Sequence, residues 1–245
     1  MLGIIGITDK GLSRATNQDR FAGEVFAPDF AYGVVCDGMG GENGGGIASS
    51  IACEEIRRMM ENSRRGMDER SLYLLLESAV STANIMVYEK AQQSFEDESL
   101  QGMGTTVCLA VISGDVVTIA NVGDSRAYLA RKGHLTQLTT DHTVVQIMVD
   151  RGEITPEEAI THESRHLITR AVGVERTVDL SYSTAEMEEG DILLLCSDGL
   201  YNMVMPERLL PLLQRCVEED DATCLVETAN AAGGKDNITA VLLYK

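Results

Sequence analysis

Positive charge is scarce in this chain: 20 lysines and arginines stand against 38 aspartates and glutamates, a formal charge of -18 over 245 residues. A long-range field of that sign repels DNA, RNA and anionic lipid, which excludes nucleic acid and membrane surfaces as expected partners. Long apolar runs are missing too, and none approaches the ~18 residues that a membrane helix needs. The opening MLGIIGITDKG has no basic stretch ahead of its apolar run, which is too short and glycine-rich for a signal sequence. A cytoplasmic location is expected. None of the six cysteines, at 36, 53, 108, 196, 216 and 224, falls in a C-x-x-C pair. Most lie inside apolar runs such as YGVVC and ILLLC, which points to reduced, buried thiols rather than disulfides or a zinc site. No linker, internal repeat or low-complexity tract divides the chain.

What is present is a globular composition, 44% hydrophobic and 24% charged. Short apolar runs bounded by Gly, Asp or Pro predict strands at 2–8, 21–26 and 32–36. Helical spacing of Ala48, Ala52, Ile56 and Met59 predicts a helix over 47–65, and that of Leu72, Leu76, Ala79, Ala83 and Val87 one over 69–93. From 104 to 138 the period changes to TTVCLAVI, VVTIANV, SRAYLA and HLTQL, separated by tight turns. Connections this short predict an antiparallel meander. Short helices are expected at 144–151 and, behind a Thr155 N-cap, at 156–161, then strands at 178–183 and 191–196. Helices at 206–216 and 222–232, the second ending at Gly233-Gly234, precede a last strand at 237–244. Strand runs and helix runs are segregated, so the fold class is α+β. The polar segments 96–101 and 139–173 are the expected mobile loops.

One pattern recurs: an apolar strand runs into an aspartate beside a glycine or serine, at Asp37-Gly38, Asp124-Ser125 and Asp198-Gly199. Asp236 and Asp19 stand just before strands. Any one Asp-Gly is explained by a turn, with glycine supplying a positive φ. In an antiparallel sheet, however, the exit of one strand and the start of its neighbour share an edge, so these five carboxylates can converge. Two carboxylates ~4 Å apart repel by about 4 kcal/mol at an effective dielectric of 20, so such a set calls for cations or raised pKa values. All-oxygen ligands favour Mg²⁺ or Mn²⁺, or Ca²⁺ in a larger cage. A two-metal carboxylate site suits hydrolysis of phosphate esters. Arg14, in KGLSRATNQD, is a candidate bidentate fork for phosphoryl oxygens or else a solvated loop arginine. DGMGGENGGG after Asp37 reads as an anion-cradling glycine loop or as a way to bring the Gly38 carbonyl to a metal. It matches neither the dinucleotide nor the P-loop pattern.

These pieces in order, SRATNQDR at 13–20, VVCDGMGG at 34–41, GTT at 104–106, NVGDSRAYL at 121–129, LTTDHT at 138–143, ITRAVG at 168–173, LLCSDGL at 194–200 and KDNITAV at 235–241, resemble the metal-dependent serine/threonine protein phosphatases of type 2C in their compact bacterial form. The resemblance covers essentially the whole chain. It implies a single catalytic domain over 1–245, a sandwich of two antiparallel β-sheets flanked by helices on both sides, and a variable flap at about 139–173 that selects substrate. It implies hydrolysis of phosphoserine and phosphothreonine in proteins by a metal-bridging water, with two Mn²⁺ or Mg²⁺ ions and a third, weaker one. Asp37 would be shared by both ions with the Gly38 carbonyl on one of them, Asp198 and Asp236 would hold the first, and Asp19 would position metal waters. Asp124, with Asp198, would hold the third ion; Arg14 would bind phosphate, and Asn237 would orient Asp236. Phosphorylated proteins, a cognate Ser/Thr kinase and a monomeric state are the implied partners and assembly.

Two positions depart from the family pattern. Gln18 stands where many members have glutamate, removing a charge from the outer metal shell. Met39 stands where animal members carry a histidine that serves as general acid, and methionine has no proton to donate. The histidines, at 134, 142, 162 and 166, read as surface or loop residues. Two other readings stay open: a catalytically silent phosphoprotein-binding module of the same fold, and a phosphatase dedicated to one regulatory phosphoprotein.

Overall fold

In the computed structural model, which describes residues 1–41, 43–63, 66–93, 100 and 102–245, the apolar runs at both ends of the chain pair with each other. Strand β1 (Gly3–Asp9) lies antiparallel to β12 (Ile238–Tyr244), from Gly3 opposite Tyr244 to Asp9 opposite Ile238. With β8 (Arg126–Arg131), β9 (His134–Gln137) and β11 (Ile192–Cys196) they form one sheet, ordered β1-β12-β11-β8-β9. The second sheet takes β2 (Arg20–Ala27), β3 (Phe30–Cys36), β6 (Val107–Ser113), β7 (Val116–Val122) and β10 (Ser181–Glu186), ordered β10-β7-β6-β3-β2. A two-residue ladder joins β4 (Gly38–Met39) to β5 (Gly104–Thr105).

Side-chain alternation explains the layers. In β11, Leu193 and Leu195 point between the sheets with Val35, Ala110, Ile119, Val241 and Leu243. Leu194 and Cys196 point the other way, onto α6 (Pro206–Glu219) and α7 (Thr223–Ala231) through Leu209, Leu213 and Leu225. A strand buried on both faces needs no polar alternation, hence the unbroken ILLLC. On the opposite side α1 (Gly44–Glu61) and α2 (Glu69–Gln93) cover the second sheet, with Ala52, Ile56, Leu76 and Val80 against Val34, Leu109 and Val111. The α-β-β-α sandwich expected from the sequence is therefore observed. All six cysteines are free and buried, as expected.

Two expectations change. The stretch 104–138 is not one meander. The β6–β7 hairpin belongs to one sheet and the β8–β9 hairpin to the other, and the three residues 123–125 carry the chain across. A short link enforces antiparallel pairing only within a sheet; three residues also span the ~10 Å between stacked sheets. Helix α1 starts at Gly44, so its glycines form the first turn rather than a loop ahead of it. The segment 139–173 holds α3 (Val144–Asp150) and α4 (Pro156–Thr161), the latter with a Thr155–Glu158 capping box. The other expected loop, 96–101, lies outside the described residues except for Leu100. No helix among the described residues is long and apolar enough to cross a membrane.

Candidate metal centre

Strand register brings the acids together. Arg20 pairs with Cys36, so Asp19 at the start of β2 adjoins Asp37 at the end of β3. Cys196 pairs with both Ala240 and Arg126, which sets Asp198, at the start of α5 (Asp198–Tyr201), beside Asp236 before β12 and Asp124 before β8. All five carboxylates stand at one end of the sandwich.

Their electrostatics follows. Burial, then Asp19, Asp198, Asp124 and Asp236, holds Asp37 well above the ordinary carboxylate range. Burial and the charges of Asp124, Asp236 and Asp19 push Asp198 up to about 8. Asp124 rises to about 6, mainly through burial and then through Asp141. Asp19 is 1% exposed and raised by burial, against which the Thr239 and Ser197 hydroxyls act. Both hydroxyls donate to its Oδ2 at 2.7 Å, whereas Oδ1 is buried without a hydrogen-bond partner. Arg14 Nη2 donates to Asp236 Oδ2 at 2.6 Å, and Asp198 and Asp37 also favour its charge.

Among the described residues no three carboxylate, imidazole or thiol groups already close on one point as a finished cage. The set nonetheless fits hard divalent cations. The donors are all oxygen, Asp19, Asp37, Asp124 and Asp198 hold their protons more tightly than isolated acids, and Asp19 Oδ1 has a free lone pair in a buried place.

Asn237 contacts Asp236 as expected, through its backbone, and also has a second part. Its backbone N–H donates to Asp236 Oδ1 at 2.8 Å, but its side chain holds the 10–18 loop. Nδ2 donates to the carbonyls of Lys10 and Thr16, and Oδ1 accepts the Gln18 amide. That loop delivers Arg14. Gly38 has a second reason to be glycine: a Cβ there would come within 2.1 Å of the Gly45 carbonyl and 2.5 Å of the Gln18 carbonyl. The glycines after Asp37 thus let α1 pack against the acid-bearing backbone. Gln18 reaches the Gly41 carbonyl, toward the start of α1. Met39 lines a cavity of about 340 Å³ with Ile168, Thr169, Arg170, Val174 and Val178.

Several residues here carried no chemical signal in the sequence. Thr106 Oγ1 accepts the Asp37 amide at 3.0 Å and bonds Ser125 Oγ at 2.7 Å, tying the Asp37 peptide to the corner that bears Asp124. Arg126 forks onto Asp141, with Nη2 at 2.6 Å from Oδ2, and lies 3.7 Å over the Tyr201 ring, whose OH donates to the Asp124 carbonyl at 3.1 Å. His142 is not a surface residue: it is 7% exposed, and its Nδ1 accepts the Gly123 amide at 3.1 Å. Burial and Arg170 lower its pKa to about 4, so the imidazole is neutral. The hydroxyl beside two of the five acids, Ser125 after Asp124 and Ser197 before Asp198, was an available clue.

Comparison with known proteins gives a consistent picture. A family profile described as Protein phosphatase 2C matches residues 12–228. The serine/threonine protein phosphatase PstP of Mycobacterium tuberculosis is 38% identical over 236 residues, covering 96% of this chain but 43% of that protein. The chain thus spans less than half the length of that relative. The serine/threonine phosphatase stp of Listeria monocytogenes is 34% identical over 243 residues, covering 97% of this chain and 94% of that one. Among solved structures, the serine/threonine phosphatase of S. agalactiae superposes with a TM-score of 0.90 at 32% identity, covering 100% of this chain and 99% of that one. A PstP catalytic domain in complex with two manganese ions gives 0.83 at 36% identity, covering 99% and 97%.

Proposed function

The chain belongs to the protein phosphatase 2C family, and from that premise we propose that it is a metal-dependent hydrolase of phosphoserine and phosphothreonine in proteins. The observation that carries this reading is the convergence of Asp19, Asp37, Asp124, Asp198 and Asp236 at one end of the sandwich, with Arg14 against them. Asp37, the Gly38 carbonyl, Asp198 and Asp236 would hold two Mn²⁺ or Mg²⁺ ions, with Asp19 ordering their waters and Asp124 with Asp198 holding a third ion more weakly. When bound, such ions supply an acidic water for attack at neutral pH and offset the phosphoryl charge.

The remaining work falls to the chain's own side chains. Arg14 is the phosphate ligand. Its pair with Asp236 is half exposed, and exposed ion pairs contribute about 1 kcal/mol at most, so a phosphate dianion can recruit the guanidinium as a bidentate fork. Asn237 keeps the Arg14 loop in reach. Met39 cannot protonate the departing serine or threonine oxygen. The residues 139–173 form the flap, and the cavity between Met39 and 168–178 is where substrate flanking the phosphorylated residue makes contact. We take 1–245 as one catalytic domain, acting in the cytoplasm as a monomer on targets of a Ser/Thr kinase.

The test is phosphate release from a phosphothreonine peptide and from a phosphotyrosine peptide, with Mn²⁺, with Mg²⁺ and with EDTA. Release from phosphothreonine alone, abolished by EDTA, is expected. Release that persists in EDTA would overturn the metal reading, and none under any condition would favour the silent binding module.

A further inference from the structure

Asp124 sits on the corner 123–125, where the chain steps from one sheet to the other. Nothing in a ladder holds that corner. Gly123 takes φ 99°, outside the range of ordinary residues; Asn121 Nδ2 donates to its carbonyl at 3.3 Å, Thr106 Oγ1 bonds Ser125 Oγ, and the rest of the grip comes from the first residues of the 139–173 segment. The Gly123 amide donates to His142 Nδ1 at 3.1 Å, and the His142 amide donates back to the Gly123 carbonyl at 3.0 Å. His142 Nε2 meets Ser181 Oγ of β10 at 2.7 Å. The His142 carbonyl accepts the Thr169 amide at 2.7 Å, so the same residue joins the two ends of the flap segment. On the far side of the corner, Asp141 acts through Arg126 and Tyr201 on the Asp124 carbonyl.

We infer that His142 is a positioning residue for Asp124: its imidazole, accepting the Gly123 amide, sets the corner from which the Asp124 carboxylate meets a metal ion. This rests on the proposed role of Asp124 as a ligand of the weakest ion. Asparagine at 142 can present Oδ1 where the imidazole presents Nδ1, whereas alanine presents nothing. Small hard cations demand near-ideal ligand geometry, and removal of a group that orients a ligand typically weakens metal affinity by about 10- to 100-fold.

The experiment is calorimetric titration of the whole protein with Mn²⁺ alone, for wild type, His142→Ala, His142→Asn, Asp124→Asn and the double variant His142→Ala/Asp124→Asn. His142→Ala is expected to weaken only the weakest Mn²⁺ event, by about tenfold, and His142→Asn to restore most of it. In the Asp124→Asn background His142→Ala should add nothing, because both act on one event. An unchanged titration for His142→Ala, an equal loss at every site, or an additive loss in the double variant overturns the inference. If His142→Ala does not fold by circular dichroism, Ser181→Ala is read instead. It should shift the same event in the same direction, and no shift counts against the inference. If Asp124→Asn leaves the weakest event intact, the assignment of Asp124 falls and this inference with it. If Asp124→Asn removes that event and His142→Ala does not touch it, only the inference falls.

Discussion

At Asp19, the Ser197 and Thr239 hydroxyls stabilise one oxygen of a buried acid by donating to it at 2.7 Å each, one from just after β11 and one from β12. Ser197 Oγ also accepts the Thr239 amide at 3.0 Å. Ser197→Ala therefore removes a donor from Asp19 and strands a buried backbone N–H. An unsatisfied buried polar group costs about 1–3 kcal/mol, so denaturant unfolding should show a loss of that order, together with a higher Mn²⁺ requirement for phosphate release. Unaltered stability would mean that Asp19 is held by other groups. At this scale the sequence was half legible. The five acids and Gly38 announced themselves as charged or conformationally special residues at strand ends, and Arg14 as a cation in the loop between two strands. Thr106, His142 and Tyr201 did not, because a side chain that works by holding a backbone amide or carbonyl looks like any other until its partner's position is known.

Among the elements, α2 was legible to its ends, Glu69–Gln93, because its apolar stripe repeats over 25 residues and sums many weak preferences. The corner between β7 and β8 was not. Its glycine is constrained twice over: φ is 99°, and a Cβ would come within 2.6 Å of Thr106 Cγ2. Gly133, in the β8–β9 turn, also has positive φ, at 83°, but would meet nothing within 4 Å. Gly133→Ala should therefore cost only the left-handed backbone strain, about 1–2 kcal/mol, with turnover unchanged. Gly123→Ala should cost more and also lower turnover, since Thr106 holds the Asp37 amide. Paired thermal unfolding and phosphatase assays check this, and equal effects at the two glycines would contradict it.

At the scale of the molecule, the acidic end makes stability depend on pH and metal together. Asp198 is pushed to about 8 and Asp124 to about 6 in the folded protein, against an ordinary value of 3.8. Raised folded pKa values mean that the folded state holds more protons than the unfolded one. Without metal their contribution is present at low pH and is lost as pH rises from about 4 to about 8. Divalent ions replace those protons, and at 100 to 1,000 times Kd one site stabilises by roughly 3 to 4 kcal/mol. The difference in melting temperature between Mn²⁺ and EDTA samples should thus widen from pH 5 to pH 8; a gap indifferent to pH would refute the assignment of these carboxylates. What the sequence alone determined was the kind of the longer elements, the burial of strands such as β11, and the placement of acids at their ends, because periodicity and turn chemistry are local; the four-residue α5 and the β4–β5 ladder are too short for a period to show. Only the tertiary structure decided which sheet each hairpin joins. A strand buried on both faces, such as β8, packs equally well in either sheet, and a three-residue link permits both. That choice puts Asp124 opposite Asp198 and seats His142 behind it.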